Sequence, residues 1–281
     1  MPFIVAPALE FETEVTETFG KVRLTVRSAS FGYSRFLFEG FDSAEDARRM
    51  FSTLKAGALG AGLYAGCGVR ITDDLLELND TTPLPSELDR PMVYREGRDL
   101  SGIFLHAGEP RFIASKVVPR FMEGLRTGLT FESVSIAMQN QRVQLAALLY
   151  ADSYFEKSPQ ARFLALIGVL EVLKDHDPIS TDAQKLIDRF VEEVKQADVP
   201  EAQSLTQRLG YLKTVSINQG IRSMVRRHLG DEAARNVGKL YDHRSRLVHN
   251  GAVAVDIDTV VGQAQVLVMQ LMAKILSKGA V

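Results

Sequence analysis

Cationic and imidazole groups crowd into one segment near the C-terminal end of the chain, Leu240-Tyr241-Asp242-His243-Arg244-Ser245-Arg246-Leu247-Val248-His249-Asn250-Gly251. Their chemistry is charge binding by guanidinium groups and acid–base transfer by imidazole, whose ordinary titration lies between about pH 5 and 8. On a helix turning about 100° per residue, Val237, Leu240, Tyr241, Leu247 and Val248 ring Arg244, so the arginine projects from an apolar stripe. Stripping the partner from a buried charge costs about 3–5 kcal/mol, so a matching acid is expected. Glu171 is the candidate, because it shares a helical face with Leu164 and Ile167. His249 lies about 140° round the helix from Arg244, on a face with Asp242, Ser245 and Arg246.

A second basic group precedes the segment. Arg222, Arg226 and Arg227, with His228, stand at helical spacing, and Arg235, Lys239 and Arg246 follow. Two readings are open: a polyanion-binding face, or a solvated basic face balanced by Asp231, Glu232 and Asp242. With a net charge of -2 the whole chain exerts no general pull on nucleic acid, so any such contact must be local. Aromatic residues suited to base stacking are sparse nearby, and RNA would be held mainly through phosphates. The single cysteine, Cys67, excludes an intramolecular disulfide and any multi-cysteine zinc site and suits a reducing cytoplasm. His106 has no second ligand at a metal-like spacing, and neither a metal nor a cofactor is expected.

Elements that could position these groups follow from periodicity. Val22, Leu24 and Val26 alternate with charged or polar residues, and Phe36 and Phe38 repeat the pattern, as in half-buried strands. Asp42 or Ser43 caps a helix beginning Ala44-Glu45-Asp46. Gly57-Ala58-Leu59-Gly60-Ala61-Gly62-Leu63-Tyr64-Ala65-Gly66-Cys67-Gly68 follows. It contains a nominal Gly-x-Gly-x-x-Ala fingerprint, but a helix precedes the glycines and a strand, Val69 to Thr72, comes after them, the reverse of the order that seats a dinucleotide. The stretch reads as a flexible connector. Residues 73–110 read as loops with one or two strands, including Gly102 to Leu105. Gly124, Gly128 and Thr130 mark a domain junction near residue 130.

Beyond that junction the pattern is helical. Val143, Ala146, Ala147, Tyr150 and Ala151 form one stripe, Ser158-Pro159 starts a second helix and Thr181 a third with Leu186, Ile187, Phe190, Val191 and Val194 apolar. Two shorter helices cover about Leu205 to Leu212 and Ile217 to Leu229. A long one opens at Gly230-Asp231-Glu232 and stops at Asn250-Gly251, residues that tolerate the left-handed cap. The last helix, about Ile257 to Leu276, is apolar on nearly all sides and belongs either at the centre of its bundle or against a partner. Its uncharged run, Thr259 to Ala273, falls short of the ~20 apolar residues of a membrane helix, and no membrane span or secretory leader is expected.

Arg244 and His249, separated by four residues, resemble the Arg-x(4 to 6)-His motif of HEPN domains, particularly the ApeA-like branch. Ala161-Arg162-Phe163-Leu164-Ala165-Leu166-Ile167-Gly168-Val169-Leu170-Glu171-Val172-Leu173 is similar to the early helix of the same branch. The two segments frame residues 131–281. The resemblance implies an all-α bundle that dimerises and pairs two Arg/His motifs across a cleft, and in many members a metal-independent endoribonuclease. Arg244 would then stabilise charge on the scissile phosphate, and His249 would act as general base or acid for attack by the RNA 2′-hydroxyl. Ser245 follows the arginine where active ribonucleases of the family more often carry Asn, Asp or His.

The expected fold is α+β: an α+β domain over 1–130, then an HEPN-like helical bundle over 131–281. The expected activity is RNA cleavage, in phage defence or as a toxin, by a cytoplasmic homodimer. Arg244 and His249 would be catalytic, Ser245, Arg246 and Glu171 supporting, and Arg222, Arg226 and Arg227 would bind RNA. The alternative is a non-catalytic interaction protein whose N-terminal domain senses a ligand or partner.

Overall fold

The computed structural model describes residues 2–6, 8–9, 15–28, 33–71, 76–78, 92–94, 112–113, 117–130, 132–174, 178–251 and 255–278. The architecture is α+β: an antiparallel sheet at the N-terminus and a majority of helix. Two compact units are present, one of Met1–Val169 with Val255–Val281, the other of Leu170–Ala254.

In the first unit, β1 (Pro2–Ala6), β3 (Val15–Phe19), β4 (Val22–Ser28), β5 (Tyr33–Glu39) and β6 (Gly68–Arg70) form one sheet in the order β3-β4-β5-β1-β6, every pair antiparallel. Four short strands form two small parallel pairings, β2 (Ala8–Leu9) with β9 (Phe112–Ile113) and β7 (Leu76–Leu78) with β8 (Met92–Tyr94). The register sets Val26 opposite Phe36, and the alternation anticipated from the sequence turns Leu24, Val26 and Phe36 fully inward. Phe36 meets Phe121 of α2 (Val117–Thr130) edge-on, with ring centroids 5.9 Å apart. Arg126 of α2 donates from Nε to Glu17 of β3 at 3.1 Å, tying helix to sheet.

The glycine-rich stretch after Ala44 is not a connector. Ser43 caps α1 (Ala44–Ala65), which continues through Gly57, Gly60 and Gly62 and ends at Gly66 in the left-handed conformation. The reason lies in the facing helix. A Cβ on Gly128 would stand 2.8 Å from the Gly57 Cα, and one on Gly124 would stand 2.9 Å from the Ala61 Cα. The two helices approach backbone to backbone, and that packing outweighs the roughly 1 kcal/mol each glycine costs a helix. Gly124 and Gly128 therefore lie inside a helix, of which Thr130 is the last residue.

The compact units accordingly do not meet at residue 130. α3 (Glu132–Gln139) and α4 (Gln141–Ser153) pack on α1, and α10 (Ile257–Lys278) packs on α1 and α3, so helices on both sides of residue 130 share one core. The stripe Val143, Ala146, Ala147, Tyr150 and Ala151 is buried, as its spacing predicts. α10 buries Val260, Val261, Ala264, Leu267, Val268, Leu271, Met272, Ile275 and Leu276, which places it centrally in this unit. By length and composition Ile257–Ser277 is apolar enough to cross a membrane, but half of that span is buried within the protein. The core also encloses a polar chain: Gln265 donates to the Tyr154 hydroxyl at 2.7 Å, the Tyr150 and Tyr154 hydroxyls lie 2.8 Å apart, and Arg162 donates to Gln265 at 2.7 Å.

The division between units falls within α5 (Pro159–Leu173). The second unit continues with α6 (Thr181–Gln196), α7 (Ala202–Tyr211), α8 (Ile217–Leu229) and α9 (Asp231–Asn250). α6 packs with α7, and α8 with α9 across the Gly230 turn. Ser216 and Gln219 form a reciprocal cap at the start of α8. Gly102 to Leu105 and His106 lie outside the described residues.

Candidate functional site

Glu171 sits near the end of α5 and Arg244 in the second half of α9. Arg244 Nη2 lies 3.3 Å from Glu171 Oε1, the pair that the apolar surroundings of Arg244 required. Burial fades along the arginine's stripe. Val237 and Leu240 are buried, Tyr241 and Leu247 are half-buried, and Val248 is exposed. Arg244 therefore stands at the rim, with 29% of its side chain exposed against 27% for Glu171. The Oε1 atom is shielded from solvent and makes no hydrogen bond, so Arg244 meets it as an ion pair alone.

Tyr241, one turn before Arg244, completes the cluster. The guanidinium carbon lies 5.7 Å from its ring centroid, within cation–π range. Burial first, then the Glu171 carboxylate, push the phenol above its ordinary titration range, while Arg244 acts in the opposite sense. Its spacing from Arg244 was the signal that could have marked this residue in the sequence. A guanidinium carries five N–H donors in a rigid fork, and beyond Glu171 and the Tyr241 ring Arg244 has no partner among the described residues. It is a fixed cation with donors to spare, suited to an oxyanion.

His249 occupies the last turn of α9 and is exposed. The helix stays regular to Asn250 and closes at Gly251, whose φ is 73° and whose N–H donates to Leu247 O at 3.0 Å. No early ending turns His249 toward Arg244. The two side chains leave α9 about 140° apart and about 7.5 Å along its axis. Ser245 is half-buried and Arg246 exposed; His243, half-buried, holds its Nδ1 shielded and without a hydrogen bond.

The three arginines of α8 are exposed but differ in their engagement. Arg226 donates from Nε to Asp231 at 2.7 Å across the α8–α9 turn, and Arg227 also has a partner. Arg222 forms no ion pair among the described residues. Among those residues no group of three or more His, Cys, Asp or Glu is placed to hold a metal ion. Cys67 is buried in the first unit, and burial pushes its thiol up to about 12. No family model, curated protein or solved structure matches the chain.

Proposed function

We propose that the chain is an HEPN-type, metal-independent endoribonuclease whose site is completed by two copies of the protein. One observation carries the reading: Glu171 and Tyr241 hold Arg244 at the rim of its stripe with donors unspent, on the helix that ends in the exposed His249. In this scheme His249 takes the proton of the RNA 2′-hydroxyl. The 2′-oxygen then attacks phosphorus, the bond to the 5′-oxygen breaks, and that oxygen leaves with a proton while a cyclic phosphate remains. Arg244 balances the charge that builds on the phosphoryl oxygens. Because a regular helix aims the two side chains apart, Arg244 of one copy works with His249 of the other. A role in phage defence or toxin-like RNA cleavage belongs to the same reading.

Purified protein should cut single-stranded RNA in EDTA, and Arg244→Ala or His249→Ala should each slow cutting by about 10² or more. Mixing the two inactive variants should restore roughly a quarter of the activity through random pairing of copies. Cutting retained by His249→Ala would refute the scheme.

A second reading has its own support. The charge of Arg244 is already matched by Glu171, as a purely structural arginine requires. The helical half would then be a non-catalytic interaction module and the N-terminal half a sensor for a ligand or partner. Dimerisation with RNA left intact would favour it.

A further inference from the structure

The outer face of α9 differs from the face that carries Arg244. Arg235, Lys239, Asp242, Arg246 and His249 fall within about 40° of one line along the helix, which runs about 21 Å from first to last. All five are exposed. Arg235, Lys239 and Arg246 form no ion pair among the described residues, although Asp242 stands within one turn of two of them. Elsewhere in this unit Lys195 meets Glu192, Lys213 meets Asp188 and Arg226 meets Asp231, while Arg189 on α6 and Arg208 on α7 stand without an ion pair among the described residues. What sets this line apart is that three such cations follow one another along a single helix face.

A fourth cation reaches the line from α8. Gly238 has no side chain to lift Arg222 away, and a Cβ there would sit 3.4 Å from Arg222 Cδ and 3.6 Å from its Nε. Arg222 thus lies across α9 at the edge of the line, about 60° from its middle. Of the acids near the line, Asp231 at its start is already engaged by Arg226, Glu232 stands at the edge opposite Arg222, and Asp242 alone interrupts the run of cations, while no Phe, Tyr or Trp shares the face. Such a surface can track a chain of phosphates but offers nothing on which bases could stack.

We propose that this face is a track for the backbone of single-stranded RNA, which follows Arg222, Arg235, Lys239 and Arg246 and leads the strand to His249. The proposal rests on the endoribonuclease reading for its choice of ligand. It assigns substrate contact to the side of α9 facing away from the Glu171 pair, and it makes recognition independent of base sequence. Asp242 interrupts the track and weakens it.

The test uses the full chain and a labelled 2′-O-methyl oligouridine of about twenty nucleotides, longer than one binding site and unable to form the cyclic phosphate. Binding is followed by anisotropy over a series of salt concentrations. Each cation removed should reduce the slope of log K against log salt by about 0.7, so the triple variant Arg235→Ala/Lys239→Ala/Arg246→Ala should lose about 2 from the slope. It should also bind at least tenfold more weakly at low salt, with circular dichroism and melting temperature unchanged, and Asp242→Asn should bind more tightly than the wild type. Wild-type affinity and slope in the triple variant would overturn the track. A polyglutamate bound as tightly through the same residues would overturn the choice of RNA. Cleavage of the matching ribo-oligomer in EDTA is measured separately. If the track binds and nothing is cut, the track stands and the endoribonuclease reading falls; if RNA is cut while the triple variant binds normally, the reverse holds.

Discussion

α10 and α6 both present apolar residues in helical register, yet they end in opposite surroundings. α10 is apolar round most of its circumference and buries nine residues between Val260 and Leu276. α6 has the cleaner division into apolar and charged faces and buries none, with Leu186 40% and Phe190 41% exposed. Amphipathic spacing says which face of a helix turns from water, and only neighbouring elements decide how far. α10 has α1 and α3 to cover it, whereas α6 packs with α7, which also buries no residue. The first unit is therefore held by a closed core, and the α6–α7 pair by partial shielding.

That contrast can be tested by substitution. The largest effect is expected at the centre of α10, where Leu271→Ala should cost about 3 kcal/mol by leaving a cavity. Alkylation of Cys67 near pH 8 gives a direct readout, because its buried, protonated thiol reacts only when the first unit opens. Stability should carry the same signature. The unfolded thiol ionises first, so the contribution of Cys67 is fully present below its ordinary value of 9.0 and is lost as pH rises toward about 12.

Gly128→Ala comes next, at about 2 kcal/mol of overpacking, since the new methyl group would meet the Gly57 backbone. A neutral outcome in urea unfolding would mean that α1 and α2 can separate without loss. Arg244→Ala should cost about 1 kcal/mol, because it strands a shielded carboxylate oxygen that the rim location only partly wets. A double-mutant cycle with Glu171→Ala should return most of that cost as coupling between the two. The smallest effect belongs to α6. Phe190→Ser should change stability by less than about 0.5 kcal/mol, and a loss comparable to that at Leu271 would break the contrast.

The site was partly legible in the sequence. An arginine ringed by Val237, Leu240, Tyr241, Leu247 and Val248 demanded an acid, and Glu171 stands 3.3 Å from it. Its degree of burial was not legible, because the stripe opens toward the C-terminal end of α9 and periodicity says nothing of where cover stops. The separation of His249 from Arg244 followed from counting residues and persisted because Gly251 closes a regular helix. Arg222, Arg226 and Arg227 formed one group by spacing. Asp231, on the next helix, took Arg226, and Gly238 gave Arg222 its path across α9.

Local residues alone determined the α+β class, the inward alternation of Leu24, Val26 and Phe36, the stripe of α4 and the Ser43 and Gly251 caps, because each depends on a few neighbours along the chain. Only the tertiary structure decided that Gly57 and Gly128 are a helix contact, that α2 to α4 and α10 join the N-terminal sheet in one unit, and that α6 stays uncovered. A glycine in isolation shows its freedom, while the close approach that gives it a purpose depends on a second helix brought from far along the chain.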